Sequence, residues 1–120
     1  MSNYIIIPTN TELLKIPSDY LMYIEADGNY SKVYTQEGKY RQVSFQLGQL
    51  EDMIGNQLDE DETPFIRIGK SLIVNKNYIY VVDISKQEII MSDYQGHFYE
   101  LSASRKALVG LKMMIENERL

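Results

Sequence analysis

The sequence predicts a mainly β domain of the α+β class, in which successive hairpins are interrupted by one internal helix and closed by a C-terminal helix. Three observations carry this. Short segments rich in Ile, Val and Tyr recur along most of the chain, turn-forming pairs separate them, and only two stretches change to a helical period.

Strands are expected, in order, at residues 4–7, 20–25, 31–35, 39–43, 65–68, 71–74, 78–84, 88–92 and 97–101. Asp27-Gly28-Asn29 supplies the positive φ of a tight connection, Glu37-Gly38 and Gln95-Gly96 offer the same at two further hairpins, and Asn75-Lys76-Asn77 is a fourth turn. The first helix is expected to start from an N-cap at Ser44, with Leu47, Leu50, Ile54 and Leu58 on one face and Gly48 and Gly55 weakening it. The second begins at Ser102 or Ser104 and aligns Ala107, Leu108, Leu111, Met114 and Ile115, with Lys106 and Lys112 off that face.

Composition bounds what such a chain does. At 120 residues, 44% of them hydrophobic, a single domain with a real core is expected, because a chain of this length buries roughly two thirds of the surface it exposes when unfolded. With no cysteine there is no disulfide, thiolate zinc site or thiol nucleophile, and the lone His97 anchors no multi-histidine metal site. No apolar run approaches the roughly 20 residues that span a bilayer, and the N-terminus lacks the basic and apolar regions of a signal peptide. A soluble, cytoplasmic protein is therefore expected, with no cofactor, metal, membrane or small-molecule substrate. Twelve Lys and Arg against 17 Asp and Glu give a net charge of -5, which argues at first against a nucleic-acid partner.

The patterns that suggest chemistry are weak. His97 follows Gly96 at a hairpin edge with no Ser or Asp spacing of a triad, and reads as an exposed turn residue. Gly69-Lys70-Ser71 mimics the end of a phosphate-binding loop, yet Pro64 stands where that loop needs its first glycine and a strand follows where it needs a helix. The acidic run Asp59-Glu60-Asp61-Glu62 lacks the alternating ligands of a calcium loop and reads as a solvated loop. The ten tyrosines suit half-buried sheet surfaces, against the alternative of a stacking platform.

Three ordered segments are more specific. The first runs Tyr23-Ile24-Glu25-Ala26-Asp27-Gly28-Asn29-Tyr30-Ser31-Lys32-Val33-Tyr34-Thr35, with Leu47 and Leu50-Glu51 beyond it. The second is Phe65-Ile66-Arg67-Ile68-Gly69-Lys70-Ser71-Leu72-Ile73-Val74-Asn75, with Ile79 four residues on; the third is Tyr99-Glu100-Leu101-Ser102-Ala103-Ser104-Arg105-Lys106. In that order and spacing the chain resembles the LytTR DNA-binding domain of bacterial response regulators, from about Lys15 to Leu111.

The resemblance implies an elongated stack of small, mostly antiparallel sheets that docks loop-borne side chains into successive grooves of double-stranded DNA. It further implies a transcriptional regulator that reads pairs of short direct repeats, so that two copies bind cooperatively. By position it implies DNA contacts from Asn29, Tyr30 and Lys32, from Lys70 and Ser71, and from Ser104, Arg105 and Lys106. Where the family usually has His-Arg-Ser, this chain has Gly69-Lys70-Ser71, which removes a base-reading side chain and keeps a positive charge.

Physical chemistry gives the same residues plausible roles. Arg105 suits bidentate donation to guanine O6 and N7, Lys32, Lys70 and Lys106 suit phosphates, and Asn29 and Tyr30 suit base edges or sugar. Blander alternatives stand beside these: Asp27-Gly28-Asn29 as only a turn, Ser104 as only an N-cap, Arg67 as a solvent-face strand residue, and the cations as ordinary surface charge. Six of the 17 acidic residues fall between Glu51 and Glu62, away from the three segments. With a Debye length of about 8 Å, local charge decides docking.

The expectation is thus a stand-alone domain over residues 1–120 that binds DNA sequence-specifically. Its rivals are a protein-interaction module that keeps the fold without DNA binding, and a small-molecule or enzymatic β-domain with a tyrosine-lined pocket.

Overall fold

The computed structural model describes residues 4–36, 38–59 and 63–118. Among these, the chain runs β1 (Tyr4–Pro8), β2 (Leu13–Pro17), β3 (Leu21–Asp27), β4 (Tyr30–Thr35), β5 (Tyr40–Val43), α1 (Leu47–Gln57), β6 (Phe65–Ile68), β7 (Leu72–Asn75), β8 (Ile79–Asp83), β9 (Glu88–Ser92), β10 (Phe98–Ser102) and α2 (Arg105–Glu118). The strands form a β1-β2 pair, a five-stranded sheet in the order β5-β4-β3-β7-β6, and a three-stranded sheet in the order β10-β9-β8. Every pairing is antiparallel.

Strands β3 and β7 hold the stack together because they are apolar on both faces. On one side of the sheet Ile24, Val33 and Ile73 pack with Ile5, Ile7 and Ile16 of the β1-β2 pair and with Leu47, Leu50 and Ile54 of α1. On the other, Met22, Tyr23, Leu72 and Val74 pack with Ile89, Met91 and Leu101 of the outer sheet and Leu108 and Leu111 of α2. A pleated strand sends consecutive side chains to opposite faces. A register shift between Leu21 and Tyr23 overrides this, so that Met22 and Tyr23 both enter the second core.

Polar groups caught between these layers are satisfied. Ser31 Oγ donates to the Phe45 carbonyl at 2.8 Å, and Asn75 Nδ2 donates to the Leu21 carbonyl at 3.0 Å. Gln57 pairs with both backbone groups of Ile6, at 2.7 and 2.8 Å, and so ties the end of α1 to β1.

The tyrosines work mainly as sheet surface. Tyr23 stacks on Tyr34 with ring centroids 4.3 Å apart, and the group continues to Tyr99 at 6.1 Å and Tyr40 at 5.1 Å. Burial, then the neighbouring Tyr34 and Glu25, push the Tyr23 hydroxyl far above its ordinary range and keep it neutral. These four rings fill space against one another.

Several expectations shift. Leu13–Pro17 forms a strand that the sequence did not announce, because Leu-Leu-Lys-Ile does not alternate and ends on Pro17; it survives as the partner of β1 alone. Gln46 caps α1 in place of Ser44: the Gln46 side chain accepts from the Gln49 N–H, and Gln49 Oε1 accepts from the Gln46 N–H at 2.8 Å. Ser71 lies in the turn before β7, and Tyr78 ends a single helical turn, Lys76–Tyr78, before β8. Met114, at the margin of the α2 stripe, stays exposed.

Gly38 has φ +79°, and a Cβ there would collide with the Tyr99 hydroxyl, whereas Gly28 has φ +62° and open space around it. Gly28→Ala should therefore lose only the backbone term of about 1–2 kcal/mol, and Gly38→Ala more. Equal losses in chemical denaturation would show that the Tyr99 contact contributes nothing.

Candidate nucleic-acid interface

Four connections meet at one end of the sheets: the β3–β4, β6–β7 and β8–β9 turns and the β10–α2 junction. Two backbone bonds bring them together. The Ala26 N–H donates to the Ser71 carbonyl at 2.9 Å, joining the end of β3 to the β6–β7 turn. The Ala103 N–H donates to the Gln87 carbonyl at 3.1 Å, joining the β10–α2 junction to the β8–β9 turn. Between these pairs lies a shallow cleft of about 520 Å³ lined by Ser71, Lys86, Gln87, Ser102, Ala103 and Ser104. The second and third segments singled out in the sequence thus share one cleft, and the first abuts the second.

The side chains differ in how free they are. Lys70, Ser71, Arg105 and Lys106 are exposed. Gly69 takes φ +56°, and the Arg67 Nε donates to its carbonyl at 2.9 Å while the same guanidinium pairs with Glu51 of α1 at 2.9 Å. Arg67 is therefore more than a solvent-face strand residue: it is the strut that holds the Lys70 turn.

Ser104 does cap α2, accepting from the Ala107 N–H at 3.2 Å, which makes Arg105 and Lys106 the first residues of the helix. Asn29 Oδ1 accepts from Gln46 Nε2 at 3.4 Å. Tyr30 is 47% exposed beside it. Lys32 is the least free of the candidates, because its Nζ lies 4.0 Å from Asp27 and 5.3 Å from the centre of the Tyr40 ring.

Lys86 and Gln46 belong to this end and were not singled out from the sequence. Lys86 had a signal, a cation in a Ser-Lys-Gln turn between two apolar runs, obscured by extending the preceding strand to Ile84. Gln46 had none, since glutamine is an uncommon cap.

Asp59, at the start of the acidic run, is placed away from these turns. Helix α1 has 11 residues, about 16 Å of rise, so Asp59 beyond its far end is separated from Gln46 and Asn29 by about two Debye lengths. Glu60, Asp61 and Glu62, like Glu37 of the Glu37-Gly38 turn, lie outside the described residues.

At the opposite end, His97 Nδ1 sits 2.6 Å from Oδ2 of buried Asp93, whose Oδ1 accepts from the Gln95 and His97 N–H groups at 2.8 and 3.1 Å. The pair clasps the β9–β10 hairpin, and the neighbouring Ser92 hydroxyl is taken up by the Tyr94 N–H at 2.9 Å. Among the described residues no three His, Asp or Glu gather as a metal site, and no helix is long and apolar enough to cross a membrane.

The fold is an α+β stack that gathers cation-bearing turns at one end. The chain belongs to the LytTr DNA-binding domain family, which matches residues 11–116. Among solved structures it is similar to a LytTr DNA-binding domain from Bacillus cereus, described as part of a methyl-accepting/DNA response regulator. That match has a TM-score of 0.63 and 22% identity and covers 94% of this chain and 96% of the other. Among curated proteins nothing matches.

Two carboxylates near the turns set the acid limit of the fold. Hydrogen bonds from the Lys86 N–H and the Ser85 hydroxyl hold Asp83 below the usual range. At Asp93, burial raises the value, but the N–H groups of Gln95 and His97 and the His97 ring outweigh it and leave it lowered. A carboxylate with a depressed folded pKa stabilises the fold fully above its unfolded value of about 4, and loses that contribution as pH falls through the folded one. Melting temperature should therefore decline below about pH 4, and Asp93→Asn should flatten that decline; an unchanged slope in melts across this range would refute the role of Asp93.

Proposed function

We propose that this domain binds double-stranded DNA sequence-specifically, as a bacterial transcriptional regulator working in the cytoplasm, by inserting turn-borne side chains into successive grooves. The observation that carries this reading is the convergence of the Lys70 turn and the Arg105 junction on one cleft, in a chain of a DNA-binding family. Arg105 reads a base in the major groove, Asn29 and Tyr30 contact base edges or sugar, and Lys70 engages the backbone or groove. Ser71, Ser104 and Lys106 contact phosphates, with Lys32 adding weaker long-range attraction because Asp27 and Tyr40 hold it. No cofactor and no catalysis enter. The domain spans residues 1–120 as one unit.

The description of the Bacillus cereus relative as part of a response regulator supports a regulatory role. A small domain makes few phosphate contacts, so two copies on adjacent repeats gain from binding as a pair. The net charge of -5 and the missing side chain at Gly69 favour the second reading, a protein-interaction module on the same fold.

Fluorescence anisotropy with duplexes selected from a random pool separates the two. Arg105→Ala should weaken binding about 5- to 150-fold and relax preference at one base pair, while Lys70→Ala should weaken all sequences alike. Parent-like binding by both variants, with the fold intact by circular dichroism, would sink the site assignment. No duplex binding at low salt would favour the interaction module.

A further inference from the structure

We propose that the cleft beside the β8–β9 turn seats a DNA backbone phosphate, with Lys86 as its cation and Ser71 and Ser102 as hydroxyl donors. The inference rests on the DNA-binding reading above and adds to it a contact segment from a fourth connection. Two side chains that enter successive grooves straddle the strand of backbone between those grooves. Whatever lies between them on the protein faces phosphate. Here the elements that straddle are the Lys70 turn and the Arg105 junction, and what lies between them is the cleft of Ser71, Lys86, Gln87, Ser102, Ala103 and Ser104.

The lining fits that ligand. It holds three hydroxyls and one ammonium and no carboxylate; Asp83 and Glu88, the acids that flank the turn, do not line it. Asp83 is engaged by its own turn, accepting from the Ser85 hydroxyl at 2.8 Å and the Lys86 N–H at 2.9 Å.

The turn is also rigidly set. Gln87 adopts φ +53°, a left-handed conformation uncommon for a residue with a side chain, and in it the Gln87 carbonyl bonds the Ala103 N–H across the cleft floor.

Ion pairing separates Lys86 from half of the other described cations, with Lys15 and Lys39 also outside these pairs. Among the described residues Lys32, Arg41, Arg67, Lys76 and Lys112 each have a carboxylate partner. Lys86 has none within these pairs, and neither do Lys70, Arg105 and Lys106, its neighbours at this end. An unpaired lysine at a hydroxyl-rich cleft retains its full charge for an incoming anion.

Salt dependence tests the seat. With the full chain and a selected duplex, the slope of log K against log salt should become shallower by about 0.9 in both Lys86→Ala and Lys86→Gln, the loss of one phosphate contact. Lys86→Arg should restore it, and the ranking of preferred sequences should stay as in the parent. A neutral methylphosphonate placed on the backbone between the two contacted grooves should weaken the parent several-fold and leave Lys86→Ala unaffected.

An unchanged slope in Lys86→Ala, with Arg105→Ala still impaired, would overturn the seat and leave the DNA-binding reading standing. A changed base preference in Lys86→Ala would overturn it in favour of base reading. Failure of the parent to bind any duplex would remove both.

Discussion

The pairing of β3 with β7 is the constraint on which the rest depends. Three residue pairs make it, Tyr23 with Val74, Ile24 with Ile73 and Glu25 with Leu72, and the paired residues are 47 or more positions apart in the chain. Both strands are apolar on both faces, so the same short ladder anchors the α1 core on one side and the α2 core on the other. Fully burying one Leu or Ile is worth about 1.5–3 kcal/mol, and these two layers bury such residues against a single sheet. Its end is also where the Ala26 N–H meets the Ser71 carbonyl. The position of the Lys70 turn beside Asn29 and Tyr30 is therefore a consequence of core packing, without any bond between the contact residues themselves.

A net negative chain carries a cationic end because its carboxylates are spent locally. Glu51 neutralises Arg67, Glu12 pairs with Arg41 and Glu118 with Lys76, each within 3.1 Å. Exposed pairs of this kind are worth only about 0–1 kcal/mol to the fold. Their larger effect is on the field: they cancel charge along the flanks and leave Lys70, Lys86, Arg105 and Lys106 uncompensated at one end. Net charge and local charge thus differ in sign at this end of the molecule.

Much of this was legible in the sequence for identifiable reasons. The central strands declared themselves by β-branched runs bounded by Asp27-Gly28 and Gly69-Lys70, and α2 by its stripe of Leu108 and Leu111 behind Ser104. The family was legible in an ordered set of short motifs. What stayed hidden depended on partners distant in the chain. β2 exists because Ile16 finds Ile5 across the hairpin. Arg67 looked like a solvent-face residue because its two partners, Glu51 and the Gly69 carbonyl, meet only in the folded chain. The tie between the β8–β9 turn and the β10–α2 junction was likewise hidden, because its bond spans residues 87 to 103.

A common device runs through the four connections: a neighbouring polar group holds each one before any ligand arrives. Gln46 holds Asn29, Arg67 holds the Gly69 carbonyl, Asp83 holds the Lys86 N–H, and Ser104 holds the Ala107 N–H. Ordering a long side chain or loop on binding costs about 0.5–1.5 kcal/mol per group. Fixing the backbone beneath each cation in advance confines the cost to the cation's own stem. The arrangement also sets polarity: with Gln46 donating to Asn29 Oδ1, the Asn29 side chain keeps its amide N–H groups as donors. Backbone order at these turns thus comes from hydrogen bonds within the chain itself.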